Sequence, residues 1–203
     1  KYMAANWMRR TLMVAACASA ALLAACGSST TESAITPQRF IAFGDAMNDV
    51  GQNGSRYTVN DGSVNNWTLQ VVANYGKSLT PVSAGGLSYA TGNARVSAKP
   101  DAAGNASTRT VTEQIDAFLA SGSFAATDVV MVSGGISDVI AGMAAVNAGT
   151  LTQDAMVAAA RKAGEDLAAQ VRRLVTAGAK YVVVTGTSDL SKTPWAKAID
   201  REA

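Results

Sequence analysis

Histidine is absent from all 203 residues. Without an imidazole, these residues hold no Ser-His-Asp triad, no Cys-His dyad and no His-ligated metal. Cysteine occurs only at Cys17 and Cys26, too few for a zinc ribbon or a disulfide scaffold. Charge is sparse, at 16% of residues against 48% hydrophobic, which is the balance of a globular chain and not of a disordered one. A formal charge of +2 is too small for an electrostatic footprint on nucleic acid, and no nucleic-acid partner is expected. No cofactor and no metal are expected either. The length suits one domain with a sizeable core.

What is present begins with an export pattern. Met8 is a candidate start, followed by the basic pair Arg9-Arg10 and an alanine-rich apolar run over residues 12–25. That run is short for a bilayer span but suits the apolar region of a secretory signal. It closes on Leu23-Ala24-Ala25-Cys26-Gly27, which resembles the bacterial lipobox. The resemblance implies a signal peptide over 1–25 and lipidation of Cys26, with Cys17 lost alongside the signal. It further implies an exported lipoprotein at the outer membrane or surface of a Gram-negative bacterium, attached to the membrane through the lipid on Cys26. Residues 26–38, opening Gly27-Ser28-Ser29-Thr30-Thr31, read as a flexible tether. Cleavage would take Lys1, Arg9 and Arg10 from 17 basic residues and nothing from the 15 acidic ones, leaving −1. At the other end, Ile199-Asp200-Arg201-Glu202-Ala203 reads as the middle of a helix, with no stop signal. The expectation is therefore a domain over 39–203 whose C-terminal part is missing.

Three continuous apolar runs predict buried strands: Phe40-Ile41-Ala42-Phe43, Val129-Val130-Met131-Val132 and Tyr181-Val182-Val183-Val184. Continuous runs fit parallel strands covered on both faces. Each ends in glycine or polar residues, where open α/β sheets place their sites. Helices are predicted over 66–75, with Trp67, Val71 and Tyr75 on one face, and over 112–120, capped by Thr112. The clearest helix is predicted over 152–177, with Ala160, Gly164, Leu167, Val171, Leu174 and Val175 as its apolar stripe. Residues 51–65 and 84–107 read as long surface loops. Strand, helix, strand in this order argues for an α/β fold of three α/β/α layers around a mostly parallel, doubly wound sheet.

The chemistry concentrates after the first strand, in Phe43-Gly44-Asp45-Ala46-Met47-Asn48-Asp49-Val50-Gly51. This segment resembles the first block of the GDSL lipase/esterase family, the SGNH hydrolases, matching it at Gly44, Asp45, Asp49 and Gly51. Ser88-Tyr89-Ala90-Thr91-Gly92-Asn93-Ala94 resembles the second block and Gly134-Gly135-Ile136-Ser137-Asp138 the third. Asp189-Leu190-Ser191-Lys192-Thr193-Pro194 is similar to a segment found after the fourth strand of bacterial members. The order and spacing of these blocks carry the resemblance, which spans about residues 39 to 198.

The resemblance implies hydrolysis of acyl or acetyl esters, or of lipids, by a serine nucleophile. This sequence departs from the pattern at the decisive position, where Ala46 replaces the serine and offers no nucleophilic atom. The family's Asp-x-x-His block, its general base, is also missing from these residues. The family's oxyanion donors map onto the Ala46 and Gly92 N–H groups and onto Ser137, which stands where relatives have asparagine. Gly44, Asp45, Asp49 and Asp138 support the motif, with helix capping as the plainer reading of the acids. The expectation is an ester-hydrolase frame inactive in this chain, the alternative being a surface lipoprotein that binds acylated lipids or glycans without catalysis.

Overall fold

In the computed structural model, residues 34–194 and 196–198 are described. The expectations for the signal, for Cys26 and for residues 199–203 lie outside the described residues. The body is an α/β unit built on a three-stranded, all-parallel sheet in the order β1-β2-β3. The strands are β1 (Arg39–Phe43), β2 (Asp128–Val132) and β3 (Tyr181–Val184). The helices are α1 (Trp67–Asn74), α2 (Val111–Ser121), α3 (Ile136–Asn147) and α4 (Gln153–Thr176). The three apolar runs are strands, with β1 and β2 each beginning one residue early. The early residues, Arg39 and Asp128, form an ion pair of 2.6 Å across the start of the sheet. Burial pushes the Asp128 carboxyl up, but the Arg39 bond, the Ala125 N–H and the Arg39 charge outweigh it, and its pKa is lowered. A lowered folded-state pKa means that this pair stabilises the fold above the usual aspartate range and loses its effect as pH falls through the lowered value.

β1 and β2 divide their side chains between two apolar clusters, as alternating strand residues must. Ile41, Phe43, Val130 and Val132 pack with Val111, Ile115 and Phe118 of α2 and Leu174 of α4. Phe40, Ala42, Val129 and Met131 pack with Val72 of α1 and with Val50 and Leu79. Each fully buried side chain of this size contributes about 1.5–3 kcal/mol relative to exposure. A short parallel pairing extends the sheet past β1: Ala42 N–H donates to Leu87 C=O at 3.1 Å, and Tyr89 N–H donates to Ala42 C=O at 2.7 Å.

Two sequence expectations are corrected here, the cap of α2 and the stripe of α4. The cap of α2 is Thr110, whose side chain accepts the Glu113 N–H while Glu113 accepts the Thr110 N–H. Reciprocal capping of this kind stabilises the first turn two residues before Thr112. On α1, Trp67, Val71 and Tyr75 pack against the core together as expected, beside the fully buried Thr68 and Val72. On α4 the buried residues are Ala163, Gln170 and Leu174, while Val175 is 54% exposed. Leu167 and Val171 pack at the margin of the core as expected.

β3 departs most from its pattern. Tyr181, Val183 and Val184 are 39%, 43% and 46% exposed. β2 pairs with its inner edge, and among the described residues nothing pairs with its outer edge. An apolar edge strand without a charge or proline is a template for intermolecular pairing. Sedimentation velocity is expected to show concentration-dependent self-association that Val183→Lys reverses. Identical profiles for the two chains would remove that role from β3.

Candidate functional site

The segments singled out by sequence meet at the C-terminal ends of β1 and β2. Gly44 leaves β1 with φ +138°, a conformation that side-chain-bearing residues rarely adopt. The buried Gln114 amide grips it on both sides: Gly44 N–H donates to Oε1 at 2.7 Å, and Nε2 donates to Gly44 C=O at 2.9 Å. Ser133, directly after β2, closes against the same turn. Its Oγ donates to Asp45 Oδ1 at 2.8 Å and accepts the Asp45 N–H at 3.2 Å.

Asp45 is 1% exposed and also accepts the Met47 N–H at 3.1 Å. Burial raises its carboxyl above the usual aspartate value of 3.8; bonds from Ser133, Met47 and its own backbone oppose the rise, and the charge of Asp138 adds to it. The sign follows from which state ionises first. The unfolded chain loses its proton at the ordinary value, so Asp45 costs stability as pH climbs from there through the raised value. Asp45→Asn keeps an acceptor for Met47 and Ser133. Urea titrations are expected to show the variant gaining on the natural chain as pH rises over that window. A constant difference would show that Asp45 does not titrate there.

Asp49 ties the next segment in. Its Oδ1 accepts N–H groups from Gly51 and Gln52, both at 2.8 Å, and its Oδ2 accepts the Gly92 N–H at 2.7 Å. The Gly92 N–H is therefore committed to a buried carboxylate and is not the open donor that the sequence suggests. A Cβ at 92 would lie 2.0 Å from the ring of the exposed Tyr57, which would have to move aside. The following residue, Asn93, adopts φ +64°, and its N–H meets no acceptor among the described residues. The Ala46 N–H likewise meets none, and Ala46 is half-buried.

Asp138 performs the same service from α3. Its Oδ2 accepts the Val96 N–H at 2.9 Å, and its Oδ1 accepts Arg95 Nε at 3.1 Å. The two motif acids thus hold the loop after Tyr89 at Gly92 and at Val96. Ser137 lies in the first turn of α3, is 2% exposed, and its hydroxyl has no hydrogen-bond partner among the described residues. Gly135, at φ +103°, caps α3 without a side-chain bond, so the first N–H groups of α3 receive no side-chain cap. Asp189 lies apart from this cluster. It is exposed and caps a short 3₁₀ turn, Leu190–Lys192, by accepting the Ser191 N–H at 3.1 Å.

Sequence reasoning missed Gln114, Ser133, Asn48 and Asn93. Asn48 is fully buried, donating to Phe43 C=O at 2.9 Å and accepting from Thr68 Oγ1 at 3.1 Å. Ser133 sits in the glycine-rich turn after β2 and was legible as a candidate by position alone. Gln114 lies 70 residues from Gly44 and carries no local signal.

Chemically, the cluster has backbone donors at Ala46 and Asn93, an unpartnered hydroxyl at Ser137, and carboxylates already engaged by N–H groups. A methyl group occupies the position where the family resemblance places a nucleophile. Scanned against models of known protein families, the chain matches none, and a search of curated proteins finds no relative. The class that the fold defines is an α/β protein with an open, all-parallel sheet.

Proposed function

We propose that the chain has the three-layer frame of a GDSL-type ester hydrolase with hydrolysis switched off at position 46, leaving a cleft that binds acyl or acetyl esters without cleaving them. One observation carries the reading. The turn at Gly44-Asp45 is held by Gln114 and Ser133, yet the next side chain is a methyl. A site held this way suits a group that must be presented accurately, and the group that would react is absent. The uncommitted N–H groups of Ala46 and Asn93 support the binding half of the reading, because backbone donors of this kind accommodate a carbonyl oxygen. The exported, lipid-anchored form is part of the same proposal through the lipobox resemblance of Cys26.

The test uses short p-nitrophenyl esters and added imidazole. The natural chain is expected to release no p-nitrophenol above buffer, with or without imidazole. Ala46→Ser alone is expected to stay silent, because these residues supply no histidine base. Ala46→Ser with imidazole is expected to exceed the natural chain in the same buffer by at least about tenfold, since the free base partly replaces the missing one. Hydrolysis by the natural chain, or no gain in the supplemented variant, would sink the proposal.

A further inference from the structure

We infer that the chain carries a binding site for carboxylated saccharides in the cleft between the turn after Asp49 and residues 105–109. The inference goes beyond the ester-site reading and does not depend on it. The cleft has a volume of about 340 Å³ and is lined by residues that include Gln52, Asn53, Ser83, Tyr89, Asn105 and Arg109. That volume lies at the small end of the range for small-molecule sites, about 300–1,000 Å³.

Its wall separates into groups already bonded and groups left over. Gln52 Oε1 accepts the Ser83 N–H at 2.9 Å, and Gln52 Nε2 donates to Ser88 C=O at 3.2 Å. Ser83 Oγ donates to Gln52 C=O at 2.9 Å. Thr108, on the opposite wall, donates to the buried Asp101 at 2.6 Å. These bonds fix the wall before any ligand arrives. Arg109 has its backbone C=O held by Gln114 Nε2 at 3.2 Å, while its exposed guanidinium makes no ion pair or hydrogen bond among the described residues. The Asn53 amide and the Tyr89 hydroxyl are also without partners there. Tyr89 is anchored by ring contacts to Phe43 and Phe118 with centroids 5.4 and 5.9 Å apart.

The ligand class follows from what these leftover groups recognise. A guanidinium presents paired donors that match a carboxylate. Arg109 is the only charged residue lining the cleft. The neighbouring start of α2 cannot add positive character for a phosphate dianion, because its capping box is closed and Glu113 sits on it. One unit of negative charge is therefore matched. Amide and hydroxyl groups around it pair with ligand hydroxyls, which points to a sugar acid.

Titration calorimetry on the whole chain tests this with galacturonic acid and its methyl ester, the same sugar without its single charge. The acid is expected to bind at least about tenfold more tightly than the ester. Arg109→Gln is expected to abolish that preference while leaving the circular dichroism spectrum native. Asn53→Ala is expected to weaken acid and ester alike. Equal binding of acid and ester by the natural chain overturns the inference, as does no binding of the acid. A native-like Arg109→Gln chain with unchanged affinity does the same. Displacement by inorganic phosphate at equal concentration would show an unselective anion site and would equally overturn it. Should Arg109→Gln fail to fold, the acid-against-ester comparison on the natural chain decides.

Discussion

A Gly44→Ala chain is expected to lose about 2–6 kcal/mol of stability. The new Cβ would lie 2.1 Å from Ser133 Oγ and 2.6 Å from the Ser133 carbonyl oxygen. The side chain could swing away, but the carbonyl belongs to the chain directly after β2 and cannot. Its neighbour bond, Ser133 N–H to Phe43 C=O at 3.1 Å, continues the sheet pairing. At φ +138° the substituted residue would also be strained without any contact. Overpacking alone costs about 1–3 kcal/mol, and the strained backbone adds about 1–3 kcal/mol. Together these come to about 2–6 kcal/mol, a large share of the stability of an ordinary domain, about 5–15 kcal/mol. A thermal melt within a few degrees of the natural chain would show that the β1 exit turn relaxes far more freely than its contacts indicate. Gly54→Ala serves as the comparison, since nothing lies within 4 Å of a Cβ there.

Asp49→Ala is the second large effect, and its cause is polar. The carboxylate is 1% exposed and accepts three backbone N–H groups. Its removal leaves those donors without acceptors in a buried place. Each orphaned donor costs about 1–3 kcal/mol, and relaxation or water entry recovers part of it, so a loss of about 3–5 kcal/mol is expected. Asp49→Asn should be milder, because it keeps one acceptor oxygen but replaces the other with a donor facing a donor. Asp189→Ala is the surface counterpart. That carboxylate also caps a turn, but it is exposed, and its loss should cost far less than that of Asp49. Chemical denaturation of the three variants checks the order. Equal losses at positions 49 and 189 would remove the distinction between a buried brace and a surface cap.

The strands and the long helix were legible because their signals are local. Val129-Val130-Met131-Val132 is apolar without interruption, and Thr152 and Gly178 bracket α4. The exposure of β3 was not legible: an apolar run announces a strand but not how many neighbours the sheet gives it. The inward face of α4 was read slightly off, since an alanine-rich helix leaves its apolar stripe wide. At the site, Gly44, Asp45 and Asp49 were visible as turn chemistry following a strand. The pairings they make were not, because Ser133, Gly92 and Gln114 lie 88, 43 and 70 residues away in sequence. Gly92 shows the limit of position-by-position transfer from a family. The residue is where the pattern puts it, yet its N–H is given to Asp49, and the open N–H belongs to Asn93.

The paired grip of Asp49 and Asp138 on the loop after Tyr89 bears on how such signatures are read. Gly44, Asp49, Gly92 and Asp138 are the residues that make this sequence look like an ester hydrolase, and each has a contact that the architecture itself requires. The signature therefore records how three chain segments are fastened together at the end of a sheet. Catalysis adds to that fastening a hydroxyl and a base, neither of which holds anything in place. A chain can lack both and still carry these contacts, so the likeness speaks for the scaffold and leaves the chemistry to be measured.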